Sequence, residues 1–231
     1  MNIADIRSAI ETSGLAWRGA FHPDSEDAAG DDTRTLILLG FAGRTNWPAF
    51  ASSPEAADGA SDPLDRWSRR VIGDLAQQLD SRALFPFGGP PWLPFQRWGR
   101  KAEALHPSPL GMLIHPDWGL WHSWRGALAF RELFELPPVD RRPSPCDTCA
   151  AKPCLRSCPV GAFSPSGYDA AACTDHLHSA RGTDCMERGC RARHACPVGA
   201  EQAYDPEQAQ FHMRAFRRRD DVSAPLRSSP R

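Results

Sequence analysis

All eight cysteines of this 231-residue chain fall between Cys146 and Cys196, and the longer stretch before them has none. That crowding constrains the fold more than any other feature. Disulfides stapling a small secreted protein would have no reason to avoid most of the chain. Clustered thiols in a reducing compartment are commonly metal ligands. The start of the chain agrees with such a compartment: Asp5 and Glu11 interrupt Met1 to Gly14, and there is no apolar signal core. No apolar run is long enough to span a bilayer. A cytoplasmic location with no membrane partner is expected.

The first group reads Cys146-x2-Cys149-x4-Cys154-x3-Cys158-Pro159. Bacterial ferredoxins use Cys-x2-Cys-x2-Cys-x3-Cys-Pro, so one gap is two residues longer here. The pentapeptide Cys158-Pro-Val-Gly-Ala162 then returns as Cys196-Pro-Val-Gly-Ala200. Two copies fit a pseudo-twofold layout in which each cubane takes three thiolates from its own side and one from the opposite copy. The spacing therefore predicts two [4Fe–4S] clusters. One takes Cys146, Cys149, Cys154 and Cys196; the other takes Cys158, Cys173, Cys185 and Cys190. Two four-thiolate zinc sites would use the same eight residues, but such sites favour paired Cys-x2-Cys units and only one occurs here. Gly161, Gly167, Gly182, Gly189 and Gly199 let backbone N–H groups approach the sulfides. Arg156, Arg181, Arg188, Arg191 and Arg193 either offset cluster charge, meet an acidic electron donor, or form a solvated surface.

The formal net charge of −1 excludes a chain that binds nucleic acid by bulk charge. The charge is uneven: from Arg141 onward bases outnumber acids, and before it the balance reverses. Pro137-Pro138 through Pro145 reads as a linker. The expected organisation is a cofactor-binding domain over 1–138, a cluster domain over 139–219, and a disordered tail over 220–231.

In the first module, Ile3, Ile6 and Ile10 are spaced as a helix, Leu15 to Phe21 as a strand, and Thr35 to Leu39 as a buried strand. Ser61 or Asp62 caps a helix with Pro63 in its first turn and Leu64, Trp67, Val71, Leu75 and Leu79 on one face. Leu84 to Pro94 reads as loop, and Leu110 to Ile114 and Ala127 to Phe134 read as strands. Asp205 to Arg219 reads as a helix with Phe211 and Phe216. Strands and helices mix without strict alternation, which predicts an α+β fold. No Gly-x-Gly-x-x-Gly or Walker A pattern is present, so no nucleotide-binding loop is expected. The segment Leu113-Ile-His115-Pro-Asp-Trp118-Gly-Leu-Trp121-His122-Ser-Trp124-Arg125-Gly126 reads as strand, turn, strand. Its density of flat and polar groups suits either a planar ligand or a tryptophan-rich core hairpin.

That segment, with its His115-Pro-x-x-Gly119-x-Trp121-x-x-x-Arg125-Gly126 pattern, resembles the CblC-type cobalamin-processing proteins. The Asp62-Pro-Leu-Asp65 helix start resembles the same family. The cysteine region resembles epoxyqueuosine reductases and reductive dehalogenases, particularly at Tyr168-Asp-Ala-Ala-Ala-Cys173. The resemblance implies a nitroreductase-related, CblC-like domain followed by a ferredoxin-like 2[4Fe–4S] domain. It implies a corrinoid (cobalamin) in the first, with Trp121 as a wall, Arg125 as a polar clamp and His115 as a pocket-lining donor. The last ligands depart from the family, running Cys185-x4-Cys190-x5-Cys196-Pro. Beyond them, Arg217-Arg218-Arg219 is more simply a solvated helix end than an RNA contact, so no tRNA substrate is expected. The leading function is a reductase passing electrons from the clusters to a corrinoid or other small molecule in the first domain. The alternative is a ferredoxin-like carrier that docks on a redox partner protein as donor or acceptor.

Overall fold

Asn2 and Asp5 form a capping box that opens α1 (Ile3–Thr12), whose Ile6 and Ile10 are fully buried. The computed structural model describes residues 1–164 and 167–223, and side chains as far as Arg218. After α1 come β1 (Ala16–Phe21), β2 (Thr35–Ala42), and the short helices α2 (Trp47–Ala51) and α3 (Pro54–Ala57). The longer α4 (Pro63–Gln78), β3 (Arg82–Leu84) and α5 (Phe95–Ala102) follow. Next are β4 (His106–Pro107), β5 (Leu113–Ile114) and β6 (His122–Phe130). The four longer strands form an antiparallel sheet in the order β1-β2-β6-β3.

β2 is buried on both faces, which is why Leu36-Ile-Leu-Leu39 reads as a continuous apolar run. Ile37, Leu39 and Phe41 join Leu128 and Phe130 against α1, α2 and α4. Leu36 and Leu38 join Ala127 and Ala129 on the other face, beneath Phe95 and Trp98 of α5. The small alanines make room for the large rings of that helix.

The cysteine half holds short elements: β7 (Phe163–Ser164), β8 (Gly167–Tyr168), α6 (Ala170–His178), α7 (Thr183–Arg188) and α8 (Arg191–His194). The last helix, α9 (Pro206–Ser223), packs on α7 and also returns to the first half. Phe211 lies 5.2 Å, ring centre to ring centre, from both Trp47 and Phe50.

Several sequence expectations change. The α+β class holds, and α5 starts directly after the expected Leu84–Pro94 loop, whose first residue ends β3. β5 spans two residues and pairs with β4, so it is not the hairpin partner of β6. His115 and Gly119 close their own tight turn instead, exchanging backbone hydrogen bonds of 2.8 and 2.9 Å. β6 begins at His122 and ends at Phe130 because it pairs along the whole of β2. Asp62 does occupy the cap position of α4, but in a left-handed conformation (φ +49°) that leaves its side chain without a capping bond. The expected disordered tail is helical through Ser223, and 224–231 lie outside the described residues. No helix among the described residues is long and apolar enough to cross a membrane.

Candidate metal centres and the seam beside them

All eight cysteines are free thiols, half-buried or buried. The Cys-Pro-Val-Gly turns are built alike, with Gly161 at φ +60° and Gly199 at φ +64°. Cys154 lies on a short 3-10 turn opened by Pro153, Cys173 on α6 capped by Asp169, and Cys185 on α7. Cys190 precedes α8 and Cys196 follows it.

The thiols sort into two neighbourhoods. Burial pushes Cys146, Cys154, Cys185, Cys190 and Cys196 up, and neighbouring thiols add to it. Cys146 feels Cys196, Cys154 and Cys149, and Cys196 feels Cys154 and Cys149. Cys185 feels Cys190 and Cys173, and Cys190 feels Cys158. These influences run among Cys146, Cys149, Cys154 and Cys196, and among Cys158, Cys173, Cys185 and Cys190.

Backbone N–H groups favour the charged sulfurs. The Leu155 amide serves Cys154, Val198 serves Cys196, and Ala192 and Arg193 serve Cys190. The Ala162 amide donates to Cys158 Sγ at 3.4 Å. No three His, Cys, Asp or Glu side chains among the described residues converge closely enough for a single metal ion. Thiolates on zinc bind at about 2.3 Å and crowd one another. A cubane carries one thiolate on each of four irons and needs a wider ring. Eight free thiols supply the number and type of donors that two cubanes require.

The two halves meet through glycines. A Cβ on Gly119 would stand 1.9 Å from the Val198 carbonyl oxygen, and one on Gly199 would stand 2.5 Å from the Trp118 carbonyl carbon. The turn of the His-Pro-x-x-Gly motif and the second Cys-Pro-Val-Gly turn are thus in backbone contact. The first copy is different: nothing among the described residues lies within 4 Å of a Cβ built on Gly161.

His115, Trp121 and Arg125 occupy three positions around this seam. His115 is buried and stacks on Trp118 at 4.1 Å. Its Nδ1 accepts from the Asp117 and Trp118 amides, so Nε2 carries the proton of the neutral ring. Burial, then the Arg18 charge, lowers it to about 4. Trp121 is 2% exposed, with Tyr204 and His194 against it and Arg193 over its ring at 4.2 Å. Arg125 sits in a β-bulge opposite Leu39 and Gly40, which re-aims its side chain. It donates to Asp65 and, at 2.9 Å, to Ser68 Oγ, so the two motifs that carry the CblC resemblance are joined by an ion pair.

Sequence reasoning misses the buried centre of this seam. Arg18, fully buried, makes two 2.8 Å bonds to the Glu103 carboxylate and donates to the Phe41 carbonyl and to His122 Nδ1. Its guanidinium also lies over Trp118 at 4.8 Å. His122 Nε2 donates to the Leu113 carbonyl, and burial with Arg18 holds this ring neutral, well below the usual histidine range. An open groove of about 600 Å³, between Phe21, Lys101 and Val139, lies away from these residues.

No family model matches the chain, and no curated protein matches its sequence. Solved structures do share its shape. An epoxyqueuosine reductase bound to an epoxyqueuosine-modified tRNA stem loop aligns with a TM-score of 0.52 at 16% identity, covering 89% of this chain and 69% of that one. The epoxyqueuosine reductase of Streptococcus thermophilus aligns at 0.50 and 14% identity over 90% of this chain and 70% of that one. That of Bacillus subtilis aligns at 0.50 and 16% identity over 90% and 71%. At these identities the likeness establishes a shared fold.

Proposed function

We propose that the chain is an iron–sulfur reductase. In this reading Cys146, Cys149, Cys154 and Cys196 hold one [4Fe–4S] cluster, and Cys158, Cys173, Cys185 and Cys190 hold a second. What supports it is eight free thiols, the repeated Cys-Pro-Val-Gly turn, and a fold shared with epoxyqueuosine reductases, with the second of those turns held against the sheet half through Gly199. Bound cubanes supply one-electron steps whose potential depends on hydrogen bonds to sulfur. The protein's part is to direct backbone amides at the sulfurs, to set Arg193 beside Cys190, and to fix the distance to the sheet half. A CblC-like domain over 1–138 and a ferredoxin-like domain over 139–219 form the proposed division of labour, in a cytoplasmic setting.

Anaerobic purification with iron, sulfide, zinc and cobalt quantified on one sample tests the metal assignment. Iron and sulfide are expected for two cubanes; stoichiometric zinc without sulfide overturns it. EPR of Cys196→Ser and Cys190→Ser tests the ligand sets, each variant being expected to disturb a different cluster.

The acceptor is the finer part. By resemblance it is a corrinoid, with His115, Trp121 and Arg125 on its side of the seam. Anaerobic titration with cob(II)alamin, followed by visible spectra, tests this, and an unchanged spectrum removes the corrinoid. The burial of Trp121 and the pairing of Arg125 with Asp65 favour a second reading, a carrier whose sheet half docks on a redox partner. Trapping of that partner supports it. A nucleic-acid partner, set aside on sequence grounds, returns as a proposal because one fold neighbour is an enzyme solved with a tRNA stem loop. Salt-dependent binding of a tRNA stem loop tests it.

A further inference from the structure

Between the start of β6, α8 and α9, polar atoms are buried with nothing of the protein to bond. Trp121 Nε1, Arg193 Nε, His212 Nε2 and both amide atoms of Gln208 have no hydrogen-bond partner among the described residues. Gln208 is 0% exposed and Trp121 2%. The groups belong together. The Trp121 ring lies 5.1 Å from Tyr204, and Tyr204 lies 5.2 Å from His212. Arg193 covers Trp121 at 4.2 Å and Tyr204 at 4.6 Å. Gln208 stands one turn before His212 on the same face of α9. Trp47, whose Nε1 is also buried and unpartnered, lies 5.7 Å from His212.

Buried polar groups in folded proteins are nearly always bonded, so a cluster of unbonded ones calls for a partner that the protein itself does not supply. The inventory describes that partner. The two indoles and the arginine Nε can only donate, and Gln208 adds two further donors against one acceptor. Arg193 and Arg125 both act on His212, after burial, to hold its ring neutral. The surroundings are cationic and rich in donors, and the unbonded atoms are out of reach of bulk solvent.

We propose that this seam is a closed binding site for a small oxyanion of the carboxylate class, held by Trp121, Gln208, His212 and Arg193. The site does not depend on the cluster assignment: iron content and anion binding are separate readouts.

The test is calorimetric titration of the anaerobically purified full chain with formate, acetate and inorganic phosphate, in chloride buffer at constant ionic strength. Saturable binding of formate or acetate is expected, weakened at least tenfold in Gln208→Leu with iron content unchanged. Gln208→Glu supplies a carboxylate from within. It is expected to abolish binding of added carboxylate and to raise the melting temperature. No saturable binding of any anion over chloride overturns the proposal, as does binding of phosphate alone. Unchanged affinity in Gln208→Leu, or a lowered melting temperature in Gln208→Glu, overturns it equally.

Discussion

Arg18 organises the residues around it through charge that water does not reach. Its pairing with Glu103 leaves side-chain exposures of 0% and 7%. Buried pairs are costly to break, because the remaining charge has no partner. Glu103→Ala should therefore lose about 3–5 kcal/mol in urea unfolding, well beyond the effect at an exposed pair such as Arg44–Asp205. The same guanidinium helps keep His115 neutral, lowered from 6.5 to about 4 with burial as the larger cause. Between those values the unfolded chain binds more protons than the folded one, so stability falls as pH drops through the window. His115→Asn retains an oxygen to accept from the Asp117 and Trp118 amides but cannot titrate. Its unfolding free energy should decline less between about pH 7.5 and about pH 5.5 than that of the parent.

The elements differ in how far they can be read from the chain. β2 and α4 announce themselves by an apolar run and an apolar stripe, and α1 by its isoleucines. α5 carries a helical signal too, with Phe95, Trp98, Gly99 and Ala102 buried at the proper spacing, but it directly follows a proline-rich loop and no capping side chain marks its start. The pairing of β5 with β4 leaves no local trace, because two-residue strands are fixed by their neighbours. The cysteine positions and the repeated turn are legible; Arg18 with Glu103, 85 residues apart, is not. Nor is the meeting of the repeat's second copy with Gly119, which only tertiary contact creates. This asymmetry between identical pentapeptides makes a controlled experiment. Gly161→Ala should cost about 1–2 kcal/mol for a left-handed alanine. Gly199→Ala carries that cost and also drives a methyl into the Trp118 backbone, so its melting temperature should fall further in a parallel thermal scan.

At the scale of the whole molecule, the two halves are stabilised by different means. The sheet half encloses two apolar layers, whereas the cysteine half before α9 has helices of four to nine residues and an apolar cluster that includes its own thiols. Helices that short do not persist alone. In the proposed reading, metal binding supplies the missing free energy. Stripping iron with a chelator should lower helical circular dichroism and expose 139–204 to protease while the sheet half survives. α9 complicates any simple separation, since Phe211 completes the aromatic layer of Trp47 and Phe50. That helix follows every cysteine in the chain, so a ribosome releases it after all eight. The tryptophan layer near the N-terminus thus stays uncovered during synthesis until the metal-binding stretch has emerged, and the order of translation itself delays closure of the first half until the second is ready to be loaded.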